Sequence, residues 1–229
     1  MGVDAASAIR LSLEVGAIAT TLGLAPAAWI AWILARRQFA GKSLLTGVVM
    51  APLVLPPVVT GIVLLRLFGR STPVGGALTA LGFPVTFSLT GAVLAAIVVG
   101  FPLYVITLRS AFEAVDPRYE EVSLTLGVAP GATWRRITLP LAMPGIAAGV
   151  VLAFARGLGE FGATAIIAGN MEGKTRTLAL AVYALLDERD GEATTRVLLA
   201  ASLTLSLLSL AAFEGLNRWQ RRRLGLDGR

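Results

Sequence analysis

Residues 109–140 read RSAFEAVDPRYEEVSLTLGVAPGATWRRITLP and form a long polar interruption between two apolar runs. Glu121 is followed by a helix-compatible run that ends at Gly127. A second short element carries Trp134, Arg135, Arg136 and Ile137, and we expect it to stop at Leu139-Pro140. This arrangement is typical of a docking device that is attached to a larger apolar body.

The composition indicates an integral membrane protein built from α-helices. Of the 229 residues, 55% are hydrophobic and 15% are charged, and the mean hydropathy is +0.76. Soluble domains carry roughly a quarter of charged residues. The apolar residues here also occur in blocks of about twenty, which is the length needed to cross the hydrocarbon core of a bilayer.

The amino acids that the chain lacks exclude several kinds of site. There is no cysteine and no histidine, which excludes disulfides, a thiol nucleophile, a Cys/His zinc site and a histidine general base. We therefore expect no catalytic residue and no metal site. The formal net charge of +6 comes largely from arginines that flank the apolar blocks, so it indicates membrane orientation rather than nucleic-acid binding.

Five apolar runs are predicted to span the membrane as helices of a single domain, residues 11–217. Their predicted limits are 11–34, 44–65, 88–108, 141–167 and 197–216. Residues 109–140 form the loop between the third and fourth spans, and residues 218–229 form a basic tail. The run TLALAVYALL at 177–186 is too short to cross upright, so we predict a re-entrant or an interfacial helix there.

The second span contains Pro52, Pro56 and Pro57. Three prolines remove three backbone donors, so this helix must bend or break near the middle of the membrane. Irregular backbone at that depth is tolerated inside protein or beside a watery cavity, which favours a place on a translocation path. A merely kinked helix that packs on its neighbours is the alternative.

The fourth span carries two patterns with a period of four. Gly145, Gly149, Ala153 and Gly157 give one face of small side chains, which lets another helix approach closely. Arg156 and Glu160 are also four residues apart and can pair on one side of the helix. Such a pair, followed by Gly162, either has a structural role or lines the path of an anion, because ionisable residues inside a span face protein or water.

Counting basic residues predicts the orientation of the chain. Twelve lysines and arginines fall on the side of the 109–140 loop and seven on the opposite side. Since positive charge collects in cytoplasmic segments, we expect the N-terminus outside, and the loop and the C-terminus in the cytoplasm. The twelve are Arg36, Arg37, Lys42, Arg109, Arg118, Arg135, Arg136, Arg218, Arg221, Arg222, Arg223 and Arg229; the seven are Arg10, Arg66, Arg70, Lys174, Arg176, Arg189 and Arg196.

Gly41-Lys42-Ser43 matches only the end of a phosphate-binding loop. The full motif needs a glycine five residues before Gly41, where Arg36 stands, and an apolar span precedes it rather than a strand. We therefore expect no cofactor in this chain, and any ATP and Mg²⁺ to be bound by a partner.

The polar loop resembles the signature of the permeases of binding-protein-dependent ABC importers. That signature is Glu-Ala-Ala, three residues, Gly, nine residues, Ile-x-Leu-Pro. Glu121, Gly127, Ile137, Leu139 and Pro140 match it at every fixed spacing, whereas Val122 and Ser123 replace the two alanines.

Longer stretches resemble the molybdate permeases within that superfamily. They are LVLPPVVTGIVLL (53–65), GAVLAAIVVGFPLYV (91–105), VLAFARGLGEFGATAII (151–167) and GKTRTLALAVYAL (173–185). The likeness covers residues 11–217, and RGLGEFGAT discriminates best against sulfate permeases.

The resemblance implies a type I importer fold, similar to the methionine permeases, in the inner membrane of a bacterium or an archaeon. It implies a homodimer, with two cytoplasmic ATPase subunits and a periplasmic or lipid-anchored molybdate-binding protein. Residues 109–140 would then be a coupling loop, whose short second helix would enter a cleft of the ATPase. The residues that the resemblance assigns to coupling are Glu121, Gly127, Trp134, Arg135, Ile137, Leu139 and Pro140. Trp134 and Ile137 would be the apolar anchor of that helix, and Glu121, Arg135 and Arg136 would set the register by charge.

Three other functions stay open from the residues. The oxyanion could be tungstate or sulfate rather than molybdate. The chain could be a stand-alone secondary transporter that uses Arg156–Glu160 as its coupling pair. A membrane-embedded enzyme is the third alternative, although the spans hold few groups for acid–base or nucleophilic chemistry.

Overall fold

The computed structural model describes residues 4–185 and 192–223, which fold as helices with no β-strand among them. Arg189, Arg229 and the rest of the tail, residues 224–229, lie outside these ranges. The helices are α1 (Ala5–Arg36), α2 (Lys42–Val54), α3 (Pro57–Phe68), α4 (Pro73–Ala80), α5 (Leu89–Glu113), α6 (Pro117–Thr125), α7 (Pro130–Thr133), α8 (Leu139–Leu158), α9 (Gly162–Ile167), α10 (Leu178–Leu185) and α11 (Glu192–Arg223).

Within residues 4–185 and 192–223, four stretches are long and apolar enough to cross a membrane: Ala5–Arg36, Leu89–Glu113, Pro130–Leu158 and Ala193–Trp219. Helices α2 and α3 together make a fifth candidate, which is bent by 114° at its centre. The predicted all-helical bundle of about five spans is therefore confirmed, with spans that extend a few residues beyond most of their predicted limits.

Helix α5 is the centre of the bundle. It packs against α1 and α8, and also touches α2 and α9. In the most apolar part of α5, 56% of the residues are buried. The figure for α11 is 11%, so α11 lies at the periphery. Val105, Leu108 and Phe112 are fully buried at one end of α5. This end leads directly into the polar loop, so the loop is anchored to the best-packed part of the molecule.

The fourth span differs from its prediction at both ends. The second element of the loop does not stop at Leu139-Pro140, because α7, a π-helical turn over Trp134–Thr138 and α8 follow one another without interruption. A proline ring crowds the carbonyl four residues earlier. The wider π turn, in which the Leu139 N–H donates to the Trp134 carbonyl, accommodates Pro140 without ending the helix.

At its other end, this span is interrupted well before residue 167. Helix α8 ends at Leu158, and α9 starts again at Gly162. Glycine is a poor helix former, and Gly159 caps the end of α8. The buried Glu160 carboxylate then accepts the Ala163 N–H at 2.9 Å and caps the start of α9. A second broken helix thus lies beside the broken pair α2–α3.

The two broken helices touch through glycine. A Cβ on Gly61 of α3 would lie 2.9 Å from the Ala163 Cα and 3.0 Å from the Ala163 carbonyl oxygen of α9. A Cβ on Gly162 would lie 2.9 Å from the Pro57 Cβ and 3.2 Å from the Val58 nitrogen. Both positions therefore require a residue without a side chain, because backbone and ring atoms that cannot swing aside lie against them.

This contact predicts that Gly61→Ala destabilises the protein. Overpacking a close contact costs about 1–3 kcal/mol, so the thermal midpoint of the purified protein should fall by several degrees. Gly47→Ala is the matched control, since Gly47 is also helical and no neighbouring atom lies within 4 Å of the place where its Cβ would be. Equal midpoints for the two variants would contradict the close approach of α3 and α9.

Candidate functional site

Short-range interactions explain why α6 starts at Pro117 and why the chain turns at Gly127. The Asp116 carboxylate accepts the Arg118 N–H at 2.9 Å, and Pro117 occupies the first helical position, so α6 has a strong start. Gly127 has a φ of +79°, a left-handed conformation that glycine adopts without steric cost. The chain reverses there and enters α7 at Pro130.

The seven predicted coupling residues fall into two groups in the structure. Glu121, Gly127, Arg135 and Pro140 are exposed, whereas Trp134, Ile137 and Leu139 are half-buried. The apolar anchors expected from the sequence, Trp134 and Ile137, are thus partly covered by neighbouring residues.

A buried hydrogen bond joins the two halves of the loop. The hydroxyls of Ser123 in α6 and Thr133 in α7 lie 2.8 Å apart, and both side chains are buried. Ser123 stands where the permease signature has alanine. The departure from the signature therefore contributes a polar contact that fixes α6 against α7.

Arg36 and Glu120 connect the loop to the end of α1, a contact that was not predicted from the sequence. The Arg36 guanidinium lies 3.1 Å from a Glu120 carboxylate oxygen, and it donates to the Val115 carbonyl at 2.8 Å. The same carboxylate oxygen accepts from the Thr138 hydroxyl at 2.8 Å. One network thus ties together α1, the start of α6 and the π turn that leads into α8.

Little in the sequence indicates that this network exists. Arg36 and Glu120 are separated by 84 residues, and the basic pair Arg36-Arg37 reads simply as the end of a span. The adjacent acidic pair Glu120-Glu121 was the available signal, because one member of such a pair on a helix faces the protein when the other faces solvent.

Helix α6 presents an exposed apolar face. Tyr119, Val122 and Leu126 lie at helical spacing and are 56%, 58% and 77% exposed. Exposed apolar surface of this kind is typical of sites where another protein binds. The i, i+3, i+7 spacing could have revealed this face, although the residue types favoured Trp134 and Ile137 as the apolar anchor.

The predicted break in the second span lies at Leu55-Pro56. Leu55 and Pro56 have extended backbone, with ψ of 139° and 133°, because each precedes a proline and is excluded from the helical region. Pro57 then occupies the first position of α3. Pro56 and Pro57 are exposed in the isolated chain.

Arg156 and Glu160 form an ion pair at the second break. Their side chains lie 3.0 Å apart, with the Arg156 side chain 27% and the Glu160 side chain 3% exposed. Glu160 therefore has two functions in the structure, as the partner of Arg156 and as the cap of α9. Gly162 lies two residues after Glu160 and packs on Pro57, so the second and fourth predicted spans meet at these two breaks.

The small residues of α8 lie in the bundle interior. Gly145, Gly149, Ala153 and Gly157 are all buried. A Cβ on Gly149 would collide with the Leu108 side chain, and a Cβ on Gly157 would lie 3.6 Å from the Gly16 Cα. This face brings α8 close to α5 and α1.

The profile of the family "Binding-protein-dependent transport system inner membrane component" matches residues 27–225. The chain belongs to this family. The loop and the spans described above are therefore those of an inner-membrane component of a binding-protein-dependent transport system.

Several curated relatives of this inner-membrane component are molybdenum permeases. The chain is 44% identical over 220 residues to the molybdenum transport system permease protein ModB of Haemophilus influenzae, covering 96% of each chain. Identity to the protein of the same name from Escherichia coli K12 is 45%, over 95% of this chain and 96% of that one. The Mycobacterium tuberculosis protein is 42% identical, over 97% and 82%.

Solved structures share the fold of this inner-membrane component. An inward-facing structure of the MetNI methionine ABC transporter aligns with a TM-score of 0.67 and 15% identity, over 94% of each chain. A bacterial alginate ABC transporter, in complex with an alginate pentasaccharide-bound periplasmic protein, aligns with a TM-score of 0.67 and 19% identity, over 95% of this chain and 78% of that one. The predicted methionine-permease-like fold is confirmed.

The Arg36–Glu120 network predicts that Arg36→Met destabilises the protein by about 2 kcal/mol or more, because it leaves the partly buried Glu120 carboxylate without its cation. Arg109→Met is the matched control. It breaks the more exposed Arg109–Glu113 pair, whose side chains are 35% and 43% exposed, and should cost less than about 1 kcal/mol. Thermal unfolding of both variants measures the difference in stability. Equal losses would show that the Arg36–Glu120 contact contributes no more than the more exposed Arg109–Glu113 pair.

Proposed function

We propose that this chain is the permease subunit of a molybdate ABC importer. The identity of 44% to a molybdenum permease over 96% of both chains carries the substrate assignment. The two broken spans and the exposed apolar face of α6 support the two physical tasks of such a subunit. The breaks provide a path through the membrane, and α6 provides a contact with the protein that supplies energy.

The break at Leu55-Pro56 supports a homodimer around a central path. Unpaired backbone at membrane depth is tolerated when protein buries it or when it lines a watery cavity, but not when it faces lipid. The break is exposed in the single chain, and apolar residues of α2 and α3 surround it, including Val54, which is 84% exposed. A second copy that faces this surface would bury the apolar residues and enclose the break beside the path.

The coupling loop supports an external ATPase. The sequence contains no complete phosphate-binding loop, so ATP and Mg²⁺ belong to a partner in this proposal. We place the apolar face of α6, rather than the second helix of the loop, in the cleft of that ATPase. The exposed charges of Glu121 and Arg135 border the contact and set its register by charge.

The contacts of the loop indicate how movement of the ATPase would reach the membrane. The hydrogen bond between Ser123 and Thr133 makes α6 and α7 move together. From there the movement passes along α7, the π turn and α8, and through Glu120 and Arg36 to α1. ATP binding and hydrolysis in a pair of ATPase subunits would then alternate the path between outward and inward openings.

The Arg156–Glu160 pair suits transport of a dianion without tight binding. An unpaired arginine at the break would attract molybdate strongly and slow its release. Glu160 neutralises that charge at 3.0 Å. The same pair would be the coupling device in a secondary transporter, but such a protein has no use for the exposed apolar face of α6 beyond the membrane.

Orientation and partners complete the proposal. The arginines at the loop end of the bundle support a cytoplasmic loop and C-terminus and an outside N-terminus. A periplasmic or lipid-anchored binding protein then delivers the oxyanion to the opposite end. We assign the choice among molybdate, tungstate and sulfate to that binding protein, since no side chain of the path described here is a dedicated oxyanion ligand.

Gly127→Trp should abolish ATP-dependent uptake while the protein still inserts into the membrane. A bulky side chain at the turn blocks docking of the loop, and the positive φ adds about 1–2 kcal/mol of strain. Gly82→Trp is the matched control, because Gly82 has a φ of +84° and the same open surroundings at the opposite end of the bundle. Uptake of labelled molybdate by vesicles separates the two variants, and equal uptake would contradict the proposal.

Vesicles that hold the whole transporter test the substrate and the energy source together. We expect uptake of molybdate to require ATP and the ATPase subunits, and to be inhibited more strongly by molybdate and tungstate than by sulfate. Uptake that is unchanged in the absence of the ATPase would instead identify a secondary transporter. A strict preference for sulfate would identify the related oxyanion permease.

A further inference from the structure

A groove of about 500 Å³ lies between the end of α1 and the start of α7. Three of the four tryptophans of the chain line it. The lining residues are Ala25, Ala28, Trp29, Trp32, Arg37, Pro130, Gly131 and Trp134. The small alanines form the depression, and the indole rings form its walls.

Its tryptophans indicate that the groove lies near a membrane interface. Trp29 precedes Arg36, the last residue of α1, by seven residues, or about 10 Å along the helix. Its side chain is 66% exposed. Tryptophan is enriched where the hydrocarbon meets the headgroups, so the floor of the groove faces acyl chains and its mouth faces headgroups. A water-soluble partner cannot reach the Trp29 end.

Arg37 gives the mouth of the groove a positive charge. Its guanidinium lies 5.6 Å from the centroid of the Trp32 ring, and it has no carboxylate partner in the described part of the chain. None of the described residues that line the groove is acidic. The adjoining cavity, which shares Arg37, holds Glu121 and Glu120, and the latter is paired with Arg36. The mouth is therefore complementary to an anion, and less so to the arginine-rich end of a second copy of this chain.

We propose that this groove binds one anionic phospholipid of the leaflet at the Arg37 end. An acyl chain would lie along Ala25 and Ala28 between the indoles, and the headgroup phosphate would pair with Arg37. Because the walls belong to both α1 and the start of α7, the lipid would bridge a span and the coupling loop. This inference concerns the membrane surface and does not depend on the transported substrate.

The groove tryptophans provide a direct test. In a Trp219→Phe background, the remaining emission of the full chain comes from Trp29, Trp32 and Trp134. The protein is reconstituted into bilayers that contain brominated phosphatidylglycerol or brominated phosphatidylcholine at equal mole fraction, and quenching is measured. We expect about a fivefold higher relative association constant for phosphatidylglycerol, which corresponds to one basic residue near the surface.

Arg37 variants show whether the preference comes from the groove. Arg37→Gln should lower the ratio to about one, whereas Arg37→Lys should retain most of it, since both cations attract an anionic headgroup. Arg70→Gln is the control, because Arg70 is also exposed but lies near the opposite end of the bundle.

Three results would overturn the proposal. The first is an equal association of the two lipids with the unaltered groove. The second is a preference that survives Arg37→Gln. The third is the absence of quenching by either lipid, which would mean that protein, such as a second copy, covers the groove.

Discussion

The peptide bonds around Pro56 and Pro57 impose the constraint on which the rest of the architecture depends. Each proline excludes its predecessor from the helical region, so the second span must break inside the membrane. On one side the break is covered by α9, whose backbone approaches α3 through Gly61 and Gly162. On the other side it is exposed, and a stable protein needs a second copy or water there. The prolines that break the helix therefore also determine which surface of the chain must be covered by protein or water.

A second set of contacts joins three helical elements at the loop end of the bundle. The carboxylate of Glu120 is shared by Arg36 and Thr138, and the carbonyl of Val115 accepts a further bond from Arg36. These contacts hold the end of α1, the start of α6 and the π turn in a fixed arrangement relative to one another. A displacement of the loop thus reaches two spans rather than one, and the bundle can respond as a body.

Patterns of short range were predictable from the sequence, and contacts of long range were not. The apolar blocks, the break at the prolines and the spacing of Arg156 and Glu160 depend on residues that are close together in the sequence. The Arg36–Glu120 network joins residues that are 84 positions apart. No local pattern in a single sequence indicates that two such distant residues are in contact. Continuity through Pro140 was missed because a proline normally ends a helix, and only the π turn before it relieves the crowding. The end of α8 at Leu158 was missed because a buried carboxylate, rather than a surface residue, caps the next helix.

The continuity of residues 130–158 has a mechanical consequence. A helical rod of 29 residues is about 43 Å long, which exceeds the hydrocarbon core of roughly 30 Å. The rod therefore projects from the membrane, and it remains helical through the π turn and through Pro144. A tilt of about 10° at the projecting end would move the far end by about 7 Å, comparable to one turn of helix. Small rotations of the projecting end are thus amplified by leverage at the second break, where Gly162 packs on Pro57 of the first break.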